Sequence, residues 1–192
     1  NNIHIEGINN FITVTNGSRL DCGNFVVSGS ATFVVASGGQ LGIGSAAGVR
    51  QTGAVGNIQT SSRIFSSEGS YIYNGTTNQV TGGFATTPVA NRVRSLHVSN
   101  TGNTVTLSDA HNNLTVDSLV LNQGFFAAGI TGNLNIVAGG IINGNGGHSY
   151  NGPEAGTITF IGYGRTRGIS ARNPELYRVI INGEADFNDD LP

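Results

Sequence analysis

Residues 32–43 read TFVVASGGQLGI, and this stretch decides the fold. Apolar side chains alternate with others on both sides of the corner Ser37-Gly38-Gly39. The same order returns at residues 134–142 as LNIVAGGII. Alternation of period two predicts a strand on each side of the corner, and glycine accepts the backbone angles that a tight corner needs.

A second pair of matching segments follows the first. GSYIYNG at residues 69–75 returns as GTITFIG at residues 156–162. Together the matches predict two cassettes of one pattern, at about residues 25–107 and 125–192. Repetition over a long period is typical of stacked architectures, in which each unit buries its apolar face against its neighbours. We therefore expect Val35 and Ile136, and likewise Tyr73 and Phe160, to enter one continuous core.

Short strands with glycine and asparagine corners fit a sandwich, an up-and-down barrel or a β-solenoid. Only a solenoid predicts that blocks of sequence recur in the same order with the same corners, because each turn lies on the previous one. The sequence therefore predicts an all-β fold, a right-handed parallel β-helix formed by residues 1–192 as a single segment.

The composition limits the possible functions. Charged residues make up 10% of the 192 residues, the formal net charge is -2, and all nine basic residues are arginines. This charge gives no field for binding nucleic acid phosphates, and no apolar run reaches the roughly 18 to 20 residues of a membrane span. The N-terminal residues do not resemble a signal peptide. We expect the chain to be a piece of a longer protein.

Three consecutive blocks carry a resemblance to a known class of proteins. They are NGSRLDCGNFVVSGSATFVVASGGQLGIGSAAGV from residue 16, GNIQTSSRIFSSEGSYIYNGTTNQVTGG from residue 56, and LHVSNTGNTVTLSDAHNNLTVDSLVLNQG from residue 96. Their order resembles the repetitive regions of very large Bacteroidetes cell-surface proteins, adhesins among them, that the type IX secretion system exports. The resemblance is close over about residues 10–145 and implies an extracellular β-solenoid segment. It supplies no catalytic residue.

One surface cluster is the candidate ligand-binding site. The second cassette departs from the first at residues 163–172, YGRTRGISAR, where Tyr163, Arg165 and Arg167 stand in place of smaller side chains. Two guanidinium groups on one side of a rigid strand can engage carboxylates, and a tyrosine can stack on a sugar. The alternative interpretation is an exposed arginine-rich loop that maintains solubility.

Other polar residues form weaker candidates. The C-terminal oxygen ligands could hold calcium, but they lack the spacing of a calcium loop, so a solvated junction between coils is the alternative. These ligands are Asp186, Asn188, Asp189 and Asp190. We assign no other cofactor.

Three further features have ordinary structural interpretations. Asp109, His111 and Asp117 form the densest polar group in the middle of the chain, and corner aspartates are usually turn formers. Cys22 alternates with apolar residues and is expected to be a buried free thiol. His97 is expected to be a solvated outward residue of its strand.

The sequence is compatible with three functions. The first is a non-enzymatic structural or adhesive segment at the cell surface, whose partners are neighbouring repeats, other subunits or surface glycans. The second is a carbohydrate-active or carbohydrate-binding β-helix, such as a polysaccharide lyase or hydrolase. The third is an ice-binding solenoid, suggested by the outward threonine pairs at residues 13–15, 104–106 and 157–159.

Overall fold

The computed structural model describes residues 2–108, 113–129, 132–143, 157–167 and 178–187. Within these residues the chain forms β-strands and no helix. In chain order the strands are β1 (Ile3–His4), β2 (Phe11–Val14), β3 (Arg19–Asp21), β4 (Val27–Val35), β5 (Gln40–Ile43), β6 (Ile58–Phe65), β7 (Ser70–Tyr73), β8 (Gln79–Val80), β9 (Arg92–Thr106), β10 (Asn113–Ala127), β11 (Asn133–Asn143), β12 (Thr157–Arg167) and β13 (Arg178–Phe187).

The strands pair in parallel and stack as coils. One ladder runs β3, β5, β7, β9, β10, β11, β12, β13, with β8 beside β9. A second sheet pairs β4 with β1 and β2 on one side and with β6 on the other. Every strand pair within the described residues is parallel. The prediction of an all-β parallel solenoid is confirmed.

The core consists of inward-facing columns, in which each residue lies on its partner in the next coil. One column contains Leu41, Tyr71, Leu96 and Leu119, all at most 1% exposed. Because parallel strands lie about 4.8 Å apart, each side chain in a column contacts the one above it. Cys22 belongs to the same core at 2% exposure, as its alternation predicted.

Four aromatic rings form a continuous path through this core. Phe33 and Phe65 have ring centroids 6.3 Å apart, Phe65 and Tyr71 are 6.2 Å apart, and Tyr71 and Phe84 are 4.9 Å apart. The last two contacts are edge-to-face, the geometry that aromatic rings favour. These contacts link three successive coils across the interior.

The prediction about matching core positions is confirmed for its first pair. Val35 and Ile136 are both buried in one hydrophobic cluster. Tyr73 is buried in the same cluster, and the side chain of Phe160 lies outside the described residues.

The ladder register does not follow the two predicted cassettes. From Tyr71 it runs through Leu96, Leu119 and Ile141 to Thr166, and it does not reach Ile158. Ile158 instead lies beside Leu134 on another side of the coil. Both sides of a coil consist of short alternating strands bounded by glycine, so the same short motif recurs on different sides. The structural repeat is therefore a single coil.

The corners are formed largely by glycine, as the sequence predicted. Gly38 has a φ of 73°, in the left-handed region that disfavours other residues. A Cβ atom there would lie 2.0 Å from the side-chain oxygen of Asn16 in the coil below. This corner thus requires glycine both for its backbone angle and for the close approach of the coils.

Candidate functional site

The backbone of the predicted arginine cluster lies in β12. Its register places Tyr163 opposite Glu184 and Arg165 opposite Asp186 on β13. Arg167 is paired with Ile142 on β11. The side chains of Tyr163, Arg165 and Arg167 lie outside the described part of the structure. The register therefore places two acidic residues of β13 opposite the cluster, which the sequence pattern did not predict.

The weaker candidates are described only in part. Of the proposed calcium ligands, Asp186 has its backbone in β13, whereas Asn188, Asp189 and Asp190 lie outside the described residues. Among the described residues, no group of three or more histidine, cysteine, aspartate or glutamate side chains is arranged to hold a metal ion.

The polar group in the middle of the chain, Asp109, His111 and Asp117, is also described only in part. Asp109 and His111 lie outside the described residues, and Asp117 accepts a hydrogen bond of 2.9 Å from Nη2 of Arg92. Arg92 also lies 3.8 Å from Glu68 in the preceding coil. Asp117 therefore takes part in an ion-pair bridge across three coils.

The outer surface at the N-terminal coil carries a group that resembles part of a serine hydrolase. Nδ1 of His4 lies 2.9 Å from Oγ of Ser28, and its Nε2 lies 2.5 Å from Oε1 of Glu6. The histidine and glutamate side chains are 61% and 66% exposed. Acyl transfer also requires preorganised donors for the oxyanion in a site that excludes water. His4, Glu6 and Ser28 line neither the pocket nor the groove beside residues 44–57, so we interpret the group as a surface hydrogen-bond network.

A second polar group lies on the outer side of the long ladder. Oγ of Ser95 donates to Oγ of Ser70 at 2.8 Å, and Nε2 of His97 lies 2.8 Å from the same Ser95 oxygen. Burial lowers the pKa of His97 below its ordinary value, and the nearby charge of Arg19 lowers it further. His97 points outward as predicted, but it is partly buried rather than fully solvated.

A long connection between successive coils forms one wall of two cavities. It runs over residues 44–57, between β5 and β6. Asn57 fixes its end, since Nδ2 donates to the carbonyl oxygens of Gly23 and Phe25 at 2.9 and 2.7 Å and Oδ1 accepts from the backbone N–H of Ser45 at 2.8 Å. The connection is therefore bound to the coil below it.

Arg63 holds the middle of this connection from beneath. Its side chain donates to the carbonyl oxygens of Thr60, Arg50 and Gly53 at 3.0, 2.9 and 2.5 Å. Arg63 is 8% exposed, and this burial lowers the pKa of its guanidinium. All three acceptors are neutral, so the positive charge is buried with hydrogen bonds but without a contacting carboxylate within the described residues.

Two cavities flank the connection. A pocket of about 210 Å³ is lined by Arg50, Gln51, Thr52 and Gly83. On the other side, an open groove of about 460 Å³ runs between residues 44–46, residues 54–57 and the corner at residues 76–77. Three residues of the pocket, Arg50, Gln51 and Thr52, carry side-chain hydrogen-bond donors. The groove is lined mainly by small and polar side chains, together with Val26 and Val55.

Sequence reasoning did not identify the residues of this region. The unequal length of the segment was visible, but Arg63 occupies a ladder position opposite the fully buried Phe33, where an arginine is not expected. Its acceptors come from residues 50 and 53, whose positions depend on how the connection folds back. The surrounding strand, IQTSSRIF at residues 58–65, does not alternate regularly, so no pattern in the sequence signals a buried arginine.

Comparison with known proteins identified no family, no curated protein and no solved structure with significant similarity to this chain. Within the described residues, no helix has the length and apolar character needed to cross a membrane.

Proposed function

We propose that this chain is a non-enzymatic structural and adhesive segment of an extracellular surface protein or filament. In this proposal, the stacked coils supply length and stiffness, and the outer surfaces and connections contact partners. Neighbouring repeats, other subunits and surface glycans are the proposed partners.

The observation that carries the proposal is the incomplete burial of apolar side chains at the two ends of the described stack. In the first coil, Ile12 is only partly buried, although its ladder partner Phe33 is 0% exposed. In the last described coil, the ladder register aligns Ile181 with the buried Ile136 through the backbone of β12, and Ile181 is 45% exposed. Each end therefore offers apolar side chains and a parallel strand edge on which another coil can stack.

Two further features support an extracellular structural role. Buried amide side chains and ion pairs link successive coils, so the stack gains stiffness from its side chains as well as from its backbone ladders. The order of strands and corners resembles the repeat regions of Bacteroidetes surface proteins, which makes the cell surface the proposed location.

The other two functions receive less support. The threonines at positions 13 and 104 are paired with Val34 and Phe125, and Thr157 is paired with Asn133. They do not form the stacked threonine column that an ice-binding face requires. For the enzyme, the polar groups described above form hydrogen-bond networks and ion pairs on the surface.

End-to-end stacking is tested by sedimentation velocity over a range of protein concentrations. We expect linear oligomers that grow with concentration. The change Ile12→Asp places a charge at the exposed core edge and is expected to abolish them. Ile64→Asp is the matched control, because Ile64 is 42% exposed in β6, away from both ends. Oligomers that survive Ile12→Asp, or a monomer at every concentration, would contradict stacking.

The non-enzymatic assignment needs a separate measurement. Incubation with a panel of neutral and acidic polysaccharides should release neither reducing ends nor unsaturated uronate products. Product formation by the parent protein would favour the carbohydrate-active alternative.

A further inference from the structure

The pocket above residues 50–52 contains hydrogen-bond donors without acceptors. Nε of Arg50 and Nε2 of Gln51 are buried and have no hydrogen-bond partner. Both residues line the pocket of about 210 Å³, together with Thr52 and Gly83. Buried donors almost always have a partner, so two such donors beside one small cavity indicate that the cavity receives a ligand or ordered water with acceptor atoms.

The charge of the region favours an anionic ligand. Nη1 of Arg63 donates to the backbone carbonyl oxygen of Arg50 at 2.9 Å, so the buried Arg63 guanidinium lies directly beneath residue 50. Within the described residues, neither guanidinium has a carboxylate oxygen within 4.0 Å. The Arg50 guanidinium beside the pocket and the buried Arg63 guanidinium beneath the connection are both stabilised when a negative charge approaches.

The pocket is held in place by the surrounding coils. The Arg63 side chain fixes the carbonyl oxygens of Arg50 and Gly53. On the opposite side, Gly83 donates from its backbone N–H to the Val49 carbonyl oxygen at 2.9 Å. A preorganised pocket binds more tightly than one that must order on binding.

The size of the pocket restricts the ligand. Pockets for drug-sized molecules usually have volumes of about 300 to 1,000 Å³, so about 210 Å³ suits one small unit rather than an extended chain segment. The Nε–H of an arginine together with a side-chain amide N–H matches two oxygens of a carboxylate or sulfate group.

We propose that Arg50, Gln51 and Thr52, with Gly83, form a binding site for an oxyanion, the carboxylate or sulfate group of a small ligand such as an acidic sugar unit. Arg50 supplies charge and Nε–H, Gln51 supplies its amide N–H, and Thr52 supplies a hydroxyl at the pocket edge. This proposal is independent of coil stacking, since the pocket lies beside residues 44–57 and not at either end of the stack.

Isothermal titration calorimetry at constant ionic strength tests the site. The probes are sodium glucuronate, sodium sulfate and sodium phosphate, with glucose and sodium chloride as neutral and simple-salt controls. We expect saturable binding of one ligand per chain for glucuronate or sulfate, and none for glucose or chloride. Stronger binding of glucuronate identifies a carboxylate site, and stronger binding of sulfate identifies a sulfate site. Preferential binding of phosphate, or no saturable binding at all, would overturn the proposal.

Variants connect the binding to the named donors. Arg50→Gln removes the guanidinium and leaves the backbone carbonyl that accepts from Arg63. We expect the dissociation constant to rise by at least about tenfold. Arg94→Gln is the matched control, because Arg94 is an exposed arginine on β9 and should leave binding unchanged. Equal binding by the parent and Arg50→Gln would overturn the site.

A second pair of variants covers the case in which Arg50→Gln fails to fold. Arg50→Lys keeps the charge without the Nε–H fork, and Gln51→Leu removes the amide alone. Each is expected to weaken binding several-fold while the melting temperature without ligand stays near that of the parent. If both variants bind like the parent, the unpartnered donors are only hydrated and the proposal fails.

Discussion

The carboxylate of Asp21 reaches Asn74 across the coil that lies between them. Nδ2 of Asn74 donates to Oδ1 and Oδ2 of Asp21 at 2.8 and 2.9 Å, although the two residues are 53 positions apart in the chain. The ladder partner of Asp21 in the intervening coil is Gly42. A Cβ atom at Gly42 would lie 2.7 Å from Oδ1 of Asp21. The contact between Asp21 and Asn74 therefore depends on the absence of a side chain at position 42.

The change Gly42→Ala is expected to displace the Asp21 carboxylate and weaken its contact with Asn74. Because hydrogen bonds to charged groups contribute about 1.5 to 3 kcal/mol, we expect the free energy of unfolding to fall by about 1 to 2 kcal/mol. Alanine in a strand would otherwise stabilise slightly, so the expected sign is the reverse of the ordinary effect. Urea unfolding measures the change.

A double-mutant cycle shows whether Asn74 carries this effect. In an Asn74→Ala background, Gly42→Ala should have little further effect, because the contact is already absent. Additive losses from the two substitutions would mean that Gly42 acts through something other than the Asp21–Asn74 contact.

The buried amide of Gln79 joins three segments of the structure. Its Nε2 donates to the carbonyl oxygens of Ile43 and Ser45 at 2.8 and 3.0 Å, and its Oε1 accepts from the N–H of Gly75 and Nδ2 of Asn100, each at 2.9 Å. Gln79→Leu leaves these partners without their hydrogen bonds in a dry environment. We expect a loss of about 3 kcal/mol in the free energy of unfolding, measured with urea.

Gln59→Leu is the matched control for this substitution. Gln59 is only partly buried, and its side chain makes one hydrogen bond, to the Gly56 carbonyl oxygen at 2.9 Å. We expect a loss of about 1 kcal/mol or less. Similar losses from the two glutamine substitutions would show that the number of hydrogen bonds does not determine the effect.

The general fold could be predicted because local patterns determine it. The alternation around Val35 and Leu41, with the glycine corner between them, specifies which side chains enter the core, and both are buried. Cys22 was placed correctly by the same rule. Such inferences need only the period of a strand and the backbone requirements of a corner.

The candidate site could not be predicted because it depends on the path of a connection. Gln79 and Asn100 meet through coils of unequal length, and Arg63 is buried because carbonyl oxygens of residues 50 and 53 fold over it. No local pattern encodes these distances. The ladder register follows single coils and not the two cassettes for a related reason, since a motif bounded by glycine fits more than one side of a coil.

Cys22 is expected to resist modification in the folded protein. Burial raises the pKa of its thiol to about 12, and the negative charge of Asp21 raises it further. At pH 8 only about one thiol in 10,000 is then the reactive thiolate. We expect a thiol reagent such as Ellman's reagent to react slowly with the native protein and rapidly in guanidinium chloride.

An exposed cysteine provides the comparison for Cys22. Thr13→Cys in a Cys22→Ser background places the thiol at an exposed position of β2. This thiol should react quickly without denaturant. Native Cys22 reacting at the same rate as the exposed thiol would contradict its burial.

Acidification is expected to destabilise the protein in part through His97. Its pKa is lowered by burial and by Arg19, so the unfolded state binds a proton more readily than the folded state. Stability from this residue is therefore complete well above the ordinary histidine value of 6.5 and decreases as the pH falls through that value towards the lowered pKa of the folded state. The slope contributed by one proton is at most about 1.4 kcal/mol per pH unit.

The His97→Gln variant isolates this contribution. Glutamine can still contact Oγ of Ser95 but does not titrate. The difference in unfolding free energy between parent and variant should change between pH 7 and pH 5, with the parent losing more stability. Parallel pH profiles would show that His97 does not contribute to the acid sensitivity.

The arginine cluster on β12 gives the last prediction. Arg165→Ala combined with Arg167→Ala is expected to weaken binding to acidic polysaccharide or self-assembly, while the melting temperature remains nearly unchanged. The binding measurement is made in an Arg50→Gln background, so that the pocket beside residues 50–52 does not contribute. Arg94→Ala is the control for loss of an exposed arginine.

The acidic residues that lie opposite the cluster in β13 provide a second test of the prediction. The register pairs Arg165 with Asp186, so Asp186→Asn should strengthen polysaccharide binding if the carboxylate competes for the arginine. A double arginine variant that binds and assembles like its background would show that the cluster is only a solvated surface. A variant that unfolds would show that the arginines are structural, since their charges would then be needed to hold β12 against β13.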